Sequence, residues 1–200
     1  MNRTMLNDPL VLKNLIGQTI HLELLDNLHY ESLRIAANDE RIWTFMPMKA
    51  HDEYFDDWFN ESLIKHNTGL QITYVIRCIS DGQVVGCRSY YDIDVQHKRL
   101  EVGYGWFSPN VWGRKISLEC MWLLFRQAIE DWRFNRIQIA TDPNNERSYN
   151  NLKKLGAREE GVLREHMIHH NGAITDTVIF SILSSEWPQI NEGILKRLTW

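Results

Sequence analysis

The chain contains no apolar run approaching the roughly 20 residues a membrane-spanning helix needs. Its opening MNRTMLNDPLVLKNL lacks the long apolar centre of a secretory signal. The expectation is a cytoplasmic protein with no membrane contact. Cysteine is scarce: Cys78, Cys87 and Cys120 make an odd set of 3 without paired metal spacing. Free thiols in a reducing compartment follow, rather than a disulfide frame or a zinc site. There is no basic excess. The 22 Lys and Arg stand against 26 Asp and Glu, a net charge of −4, and no basic stripe is present, which argues against nucleic acid as a partner. Low-complexity linkers, internal repeats, a P-loop and a Gly-x-Gly-x-x-Gly fingerprint are all missing. The 200 residues therefore read as one domain, 1–200, with residues 1–15 as an N-terminal arm.

What the chain has in abundance is tryptophan, 8 in all, which suggests large aromatic anchors or aromatic-lined pockets. After a short strand at Leu10–Leu12, alternation predicts a strand over Thr19–Leu25, and Asp26 or Asn27 caps a helix across residues 28–38. A second helix over Asp52–Asn67 carries Tyr54, Phe55, Trp58, Phe59 and Leu63 at helical spacing. Residues 71–79 and 83–93 flank Ser80-Asp81-Gly82 as a hairpin. A strand at Arg99–Phe107, a helix from Ile116 and a strand at Arg136–Asp142 form a crossover unit, so its two strands run parallel. The next helix has Asn145 as its cap and Gly156 as its stop, and a hairpin closes at Asn171-Gly172. A short helical tail follows Pro188. The class is α/β, or α+β: a mixed sheet with helices on both faces.

Three segments carry chemistry. In FSPNVWGRKISLE, a strand ends in a glycine turn, and a helix then starts with N–H groups that have no helical acceptors. Arg114 and Lys115 are unfavourable at a helix N-terminus unless an anion joins them. Residues alone leave this open between an anion cradle and a solvated turn. In NNERS, Ser148 follows Asn145 by one helical turn, as either a functional pair or a plain cap with an exposed serine. In LEVGY, Glu101 is costly to bury unless it has a task or a partner. Tyr90, Tyr91 and Tyr104 either line a cleft or pack. His166, His169 and His170 in HMIHH offer no convincing third ligand, so no metal is assigned.

The order and spacing of RLEVGYGWFSPNVWGRKISLE, RIQIATDPNNERSYNNLKKLGAREEGVLREHM and DTVIFSIL resemble the GCN5-related N-acetyltransferases (GNAT), in the RimJ/RimL-like ribosomal-protein branch. The resemblance runs from about Gly17 to Pro188. It implies a mostly antiparallel mixed sheet whose parallel pair splays to admit the pantetheine arm of acetyl-CoA. It places Trp106 and Phe107 at the pantetheine and acetyl carbonyl, and Trp112, Gly113, Arg114, Lys115, Ile116 and Ser117 at the phosphates. The family loop reads Arg/Gln-x-x-Gly-x-Gly/Ala; here those positions are Asn110, Gly113 and Lys115.

The resemblance further implies Asn145 on the pantetheine, Ser148 serving the leaving thiolate and Glu101 accepting the amine proton. Trp43, Tyr90, Asp92 and Tyr104 are assigned to the acceptor side. The expected activity is transfer of acetyl from acetyl-CoA to a primary amine, on a peptide N-terminus or a small molecule, by a monomer or homodimer. A non-catalytic acyl-CoA sensor or scaffold is the alternative.

Overall fold

A computed structural model describes residues 10–199. Eight strands form one sheet: β1 (Leu15–Ile16), β2 (Ile20–Leu24), β3 (Gln71–Cys78), β4 (Val84–Asp94), β5 (Arg99–Phe107), β6 (Arg136–Thr141), β7 (Arg158–Ile168) and β8 (Ile174–Leu183). Their spatial order is β1-β2-β3-β4-β5-β6-β8-β7. Every neighbouring pair is antiparallel except β5 and β6. The helices are α1 (Tyr30–Ala37), α2 (Phe55–Asn67), α3 (Ile116–Arg126, continued by a π-helical turn), α4 (Glu146–Leu155) and α5 (Trp187–Leu198).

The caps expected from sequence form. Asp26 accepts the Leu28 N–H at 2.7 Å, Asn145 accepts the Ser148 N–H at 3.1 Å, and Gly156 ends α4. The strand expected at Leu10–Leu12 does not form; pairing begins at Leu15–Ile16. The Asn14 side chain accepts the Leu24 N–H at 3.0 Å, standing in for a further strand partner, and leaves Val11 exposed. Residues 1–9 of the expected arm lie outside the described part.

Two apolar layers flank the sheet. On one face α3 and α5 bury Cys120, Leu123, Leu124, Ile194 and Leu198 against Ile76, Leu100, Val102 and Ile137. On the other, α1 and α2 bury Leu33, Phe55 and Phe59 with Trp43, Val75, Cys87 and Trp106. Helices on both faces follow from strands such as β3, which are buried along nearly their whole length.

Strict alternation along β5 fails at one place. Ser89 pairs Gly103 and Cys87 pairs Trp106, so β5 carries one extra residue opposite β4. This is a β-bulge, with Tyr104 at φ 47°. Val102 packs on the α3 face, and after the bulge Trp106 packs on the opposite face with Trp43. Simple alternation would put Val102 and Trp106 on one face; the inserted residue separates them.

β7 is an edge strand, held partly by Glu160. That carboxylate accepts both Arg136 nitrogens at 2.6 Å and the Ser181 hydroxyl at 2.7 Å, tying β7 to β6 across β8. The Arg136 guanidinium, then the Ser181 hydroxyl, hold its pKa down at about 2. A carboxylate with a depressed pKa stabilises the fold above its unfolded pKa and loses that contribution as pH falls through the folded value. Glu160→Gln is therefore expected to lower Tm at pH 6. The gap to the parent narrows from about pH 4.5 downward and closes near pH 2. A gap that stays constant across thermal melts at these pH values would refute the linkage.

Candidate active site

The parallel pair β5–β6 is joined only at Arg99/Arg136, Leu100/Ile137 and Glu101/Gln138. Beyond Glu101, β5 continues to Phe107 and β6 to Thr141 without facing pairs. Two strands therefore diverge from one point, and their inner backbone groups are left for another partner. The bulge at Tyr104 lies on the open side of that point. Glu101 sits at its apex and is 8% exposed.

Three side chains organise this apex. The Tyr91 hydroxyl donates to one oxygen of Glu101, and Gln138 Nε2 donates to the other at 2.8 Å. Burial, then the neighbouring Glu101 charge, pushes the Tyr91 pKa well up, so its hydroxyl stays protonated and donates. The Tyr91 ring covers Gly103 and lies 4.6 Å from the Tyr104 ring. Tyr104 is 37% exposed. Glu101, Tyr91 and Tyr104 thus form a continuous polar–aromatic wall on the α1–α2 face.

At the other end of the gap, Ser108 to Lys115 lead into α3. Gly113 sits at φ 78°, a left-handed conformation that L side chains rarely adopt. Lys115 occupies the cap position of α3 without a side-chain cap, so the first-turn N–H groups of Ile116, Ser117 and Leu118 have no helical acceptors. They offer donors and the positive dipole end to an anion. Trp112 donates its indole N–H to the Phe107 carbonyl at 2.8 Å and has two guanidinium groups near its ring, Arg147 at 4.3 Å and Arg41 at 5.8 Å. Asp39 holds Arg41 through two hydrogen bonds, at 2.8 and 2.6 Å. Arg114 and Arg147 are exposed and have no carboxylate within salt-bridge distance among the described residues.

Lys115 does not turn its ammonium toward this loop. Its Nζ donates to the carbonyls of Leu198 at 3.1 Å and Thr199 at 3.0 Å, capping the C-terminal end of α5. Its departure from the small residue of the family loop thus has a local reason. Lys115→Met is expected to cost about 0.5–1 kcal/mol in urea unfolding, by loss of that cap. The affinity for acetyl-CoA should stay within about twofold by calorimetry. A tenfold loss of affinity would instead put the ammonium on the phosphates.

Asn145 and Ser148 both lie at the start of α4, half-buried, beside the open end of β6. Asn145 spends its side-chain oxygen on the cap, leaving its NH₂ to donate. The Ser148 hydroxyl has no partner among the described residues. The remaining expectations fare differently. Tyr90 does not reach the cleft: it is fully buried on the α3 face and donates to the Leu124 carbonyl at 2.6 Å. Tyr91, its neighbour of opposite parity, faces the cleft instead.

Trp43 is a core residue, 1% exposed, donating to the Ala37 carbonyl at 3.1 Å and packed 5.4 Å from Trp106. The Trp106 side chain is likewise buried in that cluster, so only its backbone borders the gap. Asp92 is ion-paired with Arg99 at 2.9 Å, in a second bulge at the closed end of β5. The three cysteines are free and buried. No cluster of metal-ligating residues occurs among the described residues, and His169 pairs with Asp142 at 3.3 Å.

Known proteins share this sequence pattern and fold. The model of the acetyltransferase (GNAT) domain matches residues 19–158. YdaF of Bacillus subtilis (strain 168), provisionally named a ribosomal N-acetyltransferase, is 31% identical over 182 residues, covering 86% of this chain and 95% of YdaF. A GCN5-related N-acetyltransferase from Brucella melitensis superposes with a TM-score of 0.87 over 96% of this chain and 88% of its own, at 23% identity. Mycobacterium smegmatis RimJ, solved with CoA-disulfide, does so with a TM-score of 0.76 over 90% of this chain and 88% of its own, at 18% identity. The chain belongs to the GNAT family of acetyltransferases and is an acyltransferase.

Proposed function

We propose that this enzyme transfers the acetyl group of acetyl-CoA to a primary amine, on a peptide N-terminus or a small molecule, by direct attack. The observation that carries the reading is the divergence of β5 and β6 at Glu101, with a bulge on its open side. An extended amide-bearing arm pairs with such unpaired strand edges as a strand would. The N-terminus of α3, with Arg114 and Arg147 beside it, suits the phosphates. Asn145 donates to the arm. The provisional name of the relative YdaF, ribosomal N-acetyltransferase, supports a ribosomal amine as the acceptor.

The amine must be neutral to attack. Glu101, reached directly, through Tyr91 or through water, accepts its proton. The nitrogen lone pair forms the new C–N bond while the carbonyl pair moves to oxygen, where the backbone N–H of Trp106 or Phe107 stabilises it. Collapse breaks the C–S bond and leaves its electron pair on sulfur; the proton that the attacking nitrogen still carries in excess passes to that thiolate, with the Ser148 hydroxyl relaying or hydrogen-bonding it. The test is thiol release from acetyl-, propionyl- and succinyl-CoA over a panel of ribosomal-type N-terminal peptides, lysine peptides and small amines. Acetyl-CoA-dependent release with at least one α-amine or small amine is expected. Binding without release on every acceptor would overturn the reading in favour of an acyl-CoA-binding module.

A further inference from the structure

Behind the bulge lies a cation that no described side chain neutralises. Arg88 projects from β4 onto the α3 face and is half-buried. Its Nη1 is 2.8 Å from Met121 Sδ, and its guanidinium carbon is 5.9 Å from the Phe107 ring centre. Its Nε is sealed from solvent without a hydrogen-bond acceptor. No carboxylate lies within salt-bridge distance of it among the described residues. The guanidinium lies close against the backbone of Gly105. A β-carbon there would stand 2.3 Å from Nε and 2.6 Å from both Cζ and Nη2. Glycine at 105 is thus what lets the charge approach the bulge.

Burying an unpaired cation opposes folding, and an apolar side chain of similar length would serve the packing better. Burial indeed pushes the Arg88 pKa down, yet a guanidinium keeps its proton in proteins. The charge therefore calls for an anion that arises in use. The phosphates are poorly placed for this. Met121 lies five residues into α3 from Ile116, about 7.5 Å along the axis from the helix start. Arg88 is level with the bulge, immediately before the Trp106 and Phe107 backbone where the thioester carbonyl is expected.

We infer that Arg88 is a positioning charge for the reaction, held beneath Gly105 to stabilise the negative charge that develops on the thioester oxygen as the amine adds. The inference rests on the acetyltransferase reading above. Arg88 does not touch the reacting atoms; it acts across Gly105, placing positive charge behind the strand whose Trp106 or Phe107 N–H meets the oxygen. The carbonyl electron pair that moves to oxygen as the C–N bond forms is the charge it meets. A fixed charge in a low-dielectric setting needs no reorganisation at that moment.

The test compares Arg88→Met and Arg88→Lys with the parent in thiol release, acetyl-CoA calorimetry and thermal melts. Arg88→Met should lower kcat on the order of 10- to 100-fold. Acetyl-CoA Kd should stay within about twofold, and Tm should be equal or higher, because an uncompensated charge has gone. Arg88→Lys should recover part of kcat. A structural role predicts the reverse in Tm, and a ground-state anion site predicts loss of acetyl-CoA or selectively of succinyl-CoA affinity. Either result, or an unchanged kcat in Arg88→Met, overturns the inference. If the parent releases no thiol with any acceptor, the acetyltransferase reading falls, and this inference with it. If the parent turns over and Arg88→Met matches it, only this inference falls.

Discussion

Replacing Glu101 by Gln is expected to lower kcat for thiol release by about 10²–10³-fold with the best amine acceptor, while acetyl-CoA binds as before. The size follows from the task assigned to it. An amine at neutral pH is largely protonated, and the ammonium cannot attack, so a positioned acceptor for that proton carries much of the rate. Glu101 is the one carboxylate at the point where β5 and β6 part. Both its oxygens are oriented, one by the Tyr91 hydroxyl and one by Gln138 at 2.8 Å.

The amide introduced by Glu101→Gln keeps the shape, its oxygen accepting from Gln138 and its NH₂ donating to the Tyr91 oxygen, and loses only the charge-assisted strength of the two bonds, about 1 kcal/mol in stability. A thermal melt separates that cost from the loss of a base. Single-turnover thiol release at saturating acetyl-CoA gives the rate. If Glu101→Gln turned over within twofold of the parent, the proton would have to leave by another route, and the apex cluster would be structural.

The fold was legible in the sequence because local and long-range signals agree. Alternation marks the strands, Asn145 and Gly156 bound α4, and the strand–helix–strand spacing forces β5 and β6 parallel. Glu101 was legible for the same reason: a carboxylate within an apolar strand stands out. The neighbouring choice was not. Tyr90 and Tyr91 are adjacent and chemically alike, and only the facing of β4 decides which meets the cleft.

On β5 the facing itself changes. Tyr104 adopts φ 47°, which a tyrosine rarely does and which no propensity announces. The extra residue there turns Trp106 away from Val102, so alternation read through it gives the wrong face. Lys115 shows a different limit. Its partners, Leu198 and Thr199, lie more than 80 residues onward, and a backbone carbonyl carries no sequence signal. Arg88 reads in sequence as an ordinary strand cation, because what distinguishes it is the absence of a partner in space.

Glu119→Ala is expected to destabilise the fold strongly, by about 3 kcal/mol in urea unfolding, and to lower Tm by about 6–12 °C. In sequence Glu119 is one more acidic residue near a helix start. In the fold it is 0% exposed and, among the described residues, has no cation partner. Its charge is met instead by donors from the turn between β1 and β2. The Gln18 N–H donates at 2.5 Å, the Thr19 N–H at 3.1 and 3.3 Å, and the Thr19 hydroxyl donates as well. The positive end of α3 adds to this, since Glu119 lies in its first turns.

Alanine would take the shared acceptor from these donors and leave a void where the buried carboxylate sat, although Gln18 and Thr19 themselves are exposed and can turn to water. Glu119→Gln should fall between the two, keeping one acceptor and setting an NH₂ against the remaining donors. The consequence reaches the site, because the same contact fixes where α3 begins relative to the sheet, and Gly113 to Ser117 hang on that start. Acetyl-CoA should therefore bind more weakly to folded Glu119→Gln, by roughly threefold to tenfold in calorimetry. The chemical step, measured as single-turnover release at saturation, should be nearly unchanged. A Glu119→Ala protein that melts within about 2 °C of the parent would remove the turn contact as an anchor. A Glu119→Gln protein with unaltered acetyl-CoA affinity would uncouple the anchor from the phosphate loop.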